Sequence, residues 1–158
     1  MNKNLIAICA TFLMCAVLIV FYLNPKLSQS TVTFAESAPQ KVIYLTFDDG
    51  PSDKVTPRIL DILKEENVKA TFFIVGKNAV QRKYLVKREV DEGHTVGIHS
   101  YSHNYGEIYA SCESLLKDID KCNEVIKEIT GKPSKLYRFP GGSFGLSSSF
   151  IEAVTNRG

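Results

Sequence analysis

From Lys41 onward the apolar positions switch between two rhythms. Val42, Ile43, Tyr44 and Leu45 form a continuous apolar run leading to Asp48 and Asp49, as expected of a buried parallel strand with functional residues at its carboxyl end. Past the Gly50-Pro51-Ser52 turn, the spacing of Val55, Ile59, Leu60, Ile62 and Leu63 predicts a helix that stops near Asn67. Residues 70–75, rich in β-branched and aromatic side chains, predict a second buried strand, and residues 78–92 a helix closed by Gly93. A third strand over 95–98 delivers His99 at its end. Leu115, Ile119, Cys122, Ile126 and Ile129 recur at three- and four-residue steps, which predicts a long amphipathic helix over 111–130. A fourth strand over 136–139 carries Arg138, and a last helix covers 147–156. Strands alternating with helices imply an α/β fold with a parallel sheet, open or closed into a barrel. No internal repeat is visible.

The N-terminal segment follows neither rhythm. Residues 5–23 contain no charged side chain, and a helix of that length spans about 28 Å, close to the ~30 Å hydrocarbon thickness of a bilayer. The segment reads as a transmembrane anchor that leaves residues 1–4 in the cytoplasm. A cleaved secretory signal is the alternative, with Lys3 as its basic start and Thr33-Phe34-Ala35 as its cleavage site. Residues 24–40, rich in Ser, Thr, Pro and Gln, read as a polar linker, and residues 41–158 as the folded domain. The expected location is the cell membrane, single-pass with the domain outside, or secreted if the signal is removed. Lys3 supports this orientation and Lys26, just beyond the span, weakens the charge asymmetry.

Composition narrows the partners. The 158 residues are 44% apolar and 23% charged, with a formal charge of +2, a balance that suits one folded domain. So small a net charge steers neither nucleic acid nor polyanion, and a monomer is expected. Cys9 and Cys15 fall in the apolar segment and read as small hydrophobes. Cys112 and Cys122 share one helix about 15 Å apart along its axis, beyond the ~7 Å reach of a disulfide.

Candidate chemistry concentrates at three strand ends. Two of the chain's three histidines, His99 and His103, lie four residues apart, so one helical turn or a tight loop can aim both rings at one point. Asp48 and Asp49 repel each other unless a cation or a shared proton intervenes. Two histidines and one carboxylate leave coordination positions open, the arrangement of a catalytic rather than a structural metal site. A metal would acidify water, the second carboxylate would take its proton, and Arg138 would hold that carboxylate by a fork of hydrogen bonds. Each stretch alone has an ordinary explanation: the aspartates as turn formers, the histidines as surface groups, Arg138 as part of a strand entering a turn. Their joint occurrence at successive strand ends favours a common site. His94 reads as a solvated turn residue, Asp53 as a helix cap, and Lys64, Glu65 and Glu66 as wet surface.

The segments Tyr44-Leu45-Thr46-Phe47-Asp48-Asp49-Gly50-Pro51, His99-Ser100-Tyr101-Ser102-His103 and Arg138-Phe139-Pro140-Gly141-Gly142 resemble the first three motifs of the NodB-like polysaccharide deacetylases, carbohydrate esterase family 4. Ala70-Thr71-Phe72-Phe73-Ile74-Val75-Gly76 and Gly93-His94-Thr95-Val96-Gly97 agree with the family as well. The resemblance implies a (β/α) barrel, with Asp48 as catalytic base, Asp49, His99 and His103 as metal ligands, and Arg138 orienting Asp48. The implied cofactor is a divalent metal, Zn²⁺ first and Co²⁺ or another divalent ion as alternatives. The implied reaction removes N-acetyl groups from an N-acetylhexosamine polymer, peptidoglycan or a chitin-like glycan.

Family members continue into an Asp/Trp-containing strand and a Leu-x-His segment that supplies the general acid, whereas no histidine or tryptophan follows Arg138 here. The domain also falls short of the roughly 200 or more residues such a barrel takes. The expectation is therefore an incomplete barrel holding the base and metal half of the machinery, with low turnover. The alternative is a membrane-tethered fragment that only binds metal or glycan. A structural zinc protein is disfavoured by the open donor set.

Overall fold

The computed structural model describes residues 41–157. The proposed transmembrane segment 5–23, the linker 24–40 and the two cysteines of the apolar segment lie outside these residues. Among the described residues no helix is long and apolar enough to cross a membrane.

Three parallel strands form the sheet in the order β1 (Thr46–Gly50), β2 (Thr71–Val75), β3 (Thr95–Ser100). Between β1 and β2 runs α1 (Thr56–Glu65); α2 (Gly76–Gln81) and α3 (Lys83–Asp91) join β2 to β3. The short α4 (Tyr105–Ile108), the long α5 (Cys112–Thr130) and α6 (Ser148–Thr155) follow. The α/β alternation expected from the hydrophobic pattern is present. Beyond β3, the segment expected as a fourth strand makes one parallel bridge, Tyr137 to Ile98, rather than a regular strand. Its two hydrogen bonds, Ile98 N to Leu136 O and Arg138 N to Ile98 O, still fasten Arg138 beside β3.

Phe72, Ile74, Val96 and Ile98 of the sheet pack with Leu60 and Leu63 of α1, Val86 of α3, and Leu115, Ile119, Cys122 and Ile126 of α5. Helix α5 is well specified by its sequence. The Ser111 Oγ accepts from the Ser114 amide at 3.1 Å, and Gly131 ends the helix at φ +80°, a conformation that costs glycine little. Cys112 and Cys122 are free thiols.

Four expectations need correction. The apolar run at residues 42–45 is not a buried strand: Ile43 and Tyr44 are 85% and 86% exposed. Strand β1 starts only at Thr46, where pairing with β2 begins, so apolar character alone did not place the strand. The helix expected over 78–92 breaks at Arg82, with φ −133° and ψ +43°. In an unbroken helix residues 82 and 84 would point about 200° apart; the break brings Arg82 Nε (2.7 Å) and Tyr84 Oη (3.1 Å) to the same Asp53 carboxylate. Asp53 therefore ties α2 and α3 rather than capping a helix; near α1 it is the Ser52 Oγ that accepts, from Val55 N. His94 is buried rather than solvated, its Nδ1 accepting from the Ala70 amide and its ring edge-on to Phe72. Burial holds its imidazole below the ordinary value.

Glu89 on α3 is fully buried with neither carboxylate oxygen hydrogen-bonded, and burial pushes its pKa up from 4.5 to about 8. Between those values the folded chain keeps a proton that the unfolded chain releases, so stability falls as pH rises across the window and levels off above it. Glu89→Gln should match the wild type near pH 5 and exceed it at pH 8 by on the order of a few kcal/mol. Urea midpoints at the two pH values check this; parallel curves would assign the pH dependence elsewhere.

Candidate metal centre

Strand pleating sends adjacent side chains to opposite faces, yet Asp48 and Asp49 both line one cavity of about 590 Å³. The register explains how. Asp48 pairs with Phe73 and Gly50 with Ile74, so Asp49 is an extra, unpaired residue, and its φ of +68° turns it back toward the same side. The side chain of Asn78 donates to the Asp49 carbonyl at 3.0 Å and pins that bulge.

On the other side of β2, His99 is the penultimate residue of β3 and His103 lies in the loop after it, with ring centroids 5.2 Å apart. The loop, not a helical turn, achieves this convergence, and it holds His103 at φ +54°. The Oδ1 of Asp49 lies 3.3 Å from His99 Nε2 and 3.1 Å from His103 Nε2. Donor atoms from all three residues fall within 4.8 Å of one another. They form a group that could hold a metal ion.

The donor chemistry fits a cation. His99 Nδ1 sits 2.9 Å from the Arg138 carbonyl; a carbonyl only accepts, so Nδ1 carries the hydrogen and, in the neutral ring, Nε2 presents a lone pair. That lone pair faces a carboxylate oxygen. Two acceptors at such range require a proton or a metal ion between them.

Asp48 is held differently. One Arg138 nitrogen, Nη1, donates to Asp48 Oδ1 at 2.9 Å and to Thr46 Oγ1 at 2.8 Å. The contact corrects the expected fork: a single guanidinium nitrogen reaches the carboxylate, because the same nitrogen is shared with Thr46. The guanidinium lies over the Phe73 ring, 4.2 Å from its centroid, which fixes its plane. Gly97 makes room for that ring, since a Cβ there would come within 2.6 Å of Phe73 Cδ1.

The five residues singled out in the sequence, Asp48, Asp49, His99, His103 and Arg138, thus line one cavity. Tyr105 was not foreseen. Its ring stands edge-on to His103 at 5.5 Å, and Gly141, at φ +76°, brings the turn after Arg138 against it. A Cβ at Gly141 would lie 2.9 Å from Tyr105 Cε1. The only sequence signal for Tyr105 was its nearness to His103. Tyr109 donates to the Pro140 carbonyl at 2.7 Å, and burial pushes its phenol up to about 12, so it remains a donor that anchors this turn. Burial also raises the phenol of Tyr137, which lines the cavity, far above its ordinary value.

The chain that gathers two carboxylates, two imidazoles and an arginine at one end of this parallel sheet matches the polysaccharide deacetylase family in sequence over residues 35–156, and it belongs to that family. It is 62% identical over 103 residues to the peptidoglycan-N-acetylglucosamine deacetylase PgdA of Listeria monocytogenes, covering 65% of this chain and 22% of that one. It is 37% identical over 135 residues to the peptidoglycan-N-acetylmuramic acid deacetylase PdaA of Bacillus subtilis, covering 85% and 50%. Among solved structures, the polysaccharide deacetylase Bc1974 of Bacillus cereus superposes with a TM-score of 0.70 at 42% identity, covering 75% of this chain and 57% of that one. The chain spans half or less of the length of the curated relatives it matches.

Proposed function

We propose that this chain takes part in the hydrolysis of N-acetyl groups from N-acetylhexosamine units of peptidoglycan. The observation that carries the reading is the meeting of Asp49 Oδ1 with both histidine Nε2 atoms beside an Asp48 held by Arg138. Relatives named for peptidoglycan deacetylation support the substrate class, and the higher identity to a glucosamine-directed relative favours N-acetylglucosamine over N-acetylmuramic acid. A chitin-like glycan shares the same acetamido group and is the alternative polymer.

Asp49, His99 and His103 would hold a divalent ion, Zn²⁺ first. When bound, it polarises the amide carbonyl and makes water more acidic. Asp48 accepts the proton of the attacking water as that water adds to the carbonyl carbon, and return of that proton to the amide nitrogen as the C–N bond breaks releases acetate and the free amine. Arg138 fixes the Asp48 rotamer through Nη1, while the Thr46 hydroxyl accepts from the same nitrogen. Tyr105 and the Gly141-Gly142 turn line the same cavity.

A membrane anchor at residues 5–23 would hold the domain against the cell wall, which suits a polymeric substrate that cannot diffuse. The test is acetate release from peptidoglycan and from N-acetylglucosamine oligomers by the full chain, with and without added zinc. Zinc-dependent release from peptidoglycan is expected. Acetate production that zinc leaves unchanged, or none from either polymer, rejects the reading.

A further inference from the structure

The loop that carries His103 is fastened to a residue outside the cavity. Asp118, on α5, accepts three hydrogen bonds from it: Ser100 Oγ at 2.6 Å and Tyr101 N at 2.7 Å to Oδ2, and Ser102 N at 2.9 Å to Oδ1. Ser100 Oγ in turn accepts from the His103 amide at 2.9 Å. The direction of this relay is determined by chemistry. A charged carboxylate only accepts, so the single hydroxyl hydrogen of Ser100 goes to Asp118, and its lone pair is left for His103 N.

We propose that Asp118 is the positioning residue for the metal centre, holding His103 in its ligating orientation without touching metal or substrate. This rests on reading Asp49, His99 and His103 as metal ligands. Three observations support it. First, His103 sits at φ +54°, a backbone conformation that persists in a non-glycine residue only where its surroundings impose it, and the bonds to Asp118 and Ser100 are the ones that close this turn. Second, Asp118 is carried by a rigid element. Its helix is capped at both ends, and the neighbouring Leu115, Ile119 and Cys122 are buried in the core, so the carboxylate has a fixed origin. Third, Asp118 lines a separate groove behind the loop, with Lys77, Tyr101 and Lys121, and does not line the cavity that holds Asp49. Its three bonds are therefore spent on the loop.

The match between acceptor and donors is strict. Three hydrogens point at one carboxylate, so an amide in its place must turn its own NH₂ toward at least one of them. Asp118→Asn keeps the volume and breaks the pattern. Ser100→Ala removes the two bonds of that hydroxyl, to Asp118 and from His103 N, and leaves the Tyr101 and Ser102 amides on Asp118.

The test is zinc affinity of the full chain by chelator competition, together with the visible spectrum of the Co²⁺-loaded protein and the thermal midpoint of the metal-free protein. Asp118→Asn should weaken zinc binding about 10–100-fold and shift the cobalt bands, with a metal-free midpoint near that of the wild type. Ser100→Ala should move both readouts in the same direction by less, and the double variant should be no worse than Asp118→Asn alone. Zinc affinity in Asp118→Asn within about threefold of wild type, with unchanged cobalt bands, overturns the proposal and leaves the metal-site reading standing. Absence of zinc uptake by the wild type removes both. If Asp118→Asn does not fold, Ser100→Ala decides: undiminished zinc affinity there overturns the relay.

Discussion

Asp48→Asn is expected to lower acetate release by about 10²–10⁴-fold, the usual worth of a positioned general base, with zinc affinity unchanged. The asparagine side chain still accepts a hydrogen bond from Arg138 but cannot take a proton from water. Geometry separates Asp48 from the metal ligands: it is Asp49 Oδ1, not Asp48, that lies between the two imidazoles, whereas Asp48 Oδ1 faces Arg138 Nη1. Parallel measurement of acetate release and zinc binding checks the split. Wild-type rates in the variant would take Asp48 out of the reaction, and a matching loss of zinc would make it a ligand instead.

Removing a ligand should be more severe. His103→Ala leaves one imidazole and one carboxylate, and two donors do not make a stable catalytic site. Zinc uptake should fall by at least about 100-fold and acetate release to background. Chelation of the wild type should produce the same loss, reversed by added zinc. Because His103 is half-buried while His99 is buried, His103→Ala is the gentler change to the fold, and the metal-free variant should melt near the metal-free wild type. Retained zinc affinity in this variant would place the ion elsewhere.

Much of this site is legible in the sequence alone. Asp48, Asp49, His99, His103 and Arg138 stood at the ends of segments whose apolar patterns read as strands, and a parallel sheet gathers such ends on one side. Helix α5 was equally clear, since the three-to-four repeat of Leu115, Ile119, Cys122, Ile126 and Ile129 marks the face it packs against the core. What was not legible depends on partners distant in sequence. The run at residues 42–45 is as apolar as any strand, yet pairing starts only at Thr46. Residues 78–92 carry a helical pattern without a break, and only Asp53, far upstream, shows why the helix turns at Arg82. His94 beside a glycine looks wet until Phe72 and Ala70 close over it. The role of Asp118 was hidden for the same reason: on the sequence it is one more acidic residue on a helix with many. The bulge at Asp49 was the subtlest of these. Adjacent carboxylates gave no sign that an unpaired residue with left-handed backbone would turn both toward one cavity.

The order of the strands has a mechanical meaning. Asp49 belongs to β1 and His99 to β3, with β2 between them, so an ion held by both would link strands that do not pair with each other, like a rivet through three planks. The binding free energy of such an ion would oppose peeling of β1 from the sheet, so loading the site would add mechanical hold to that edge.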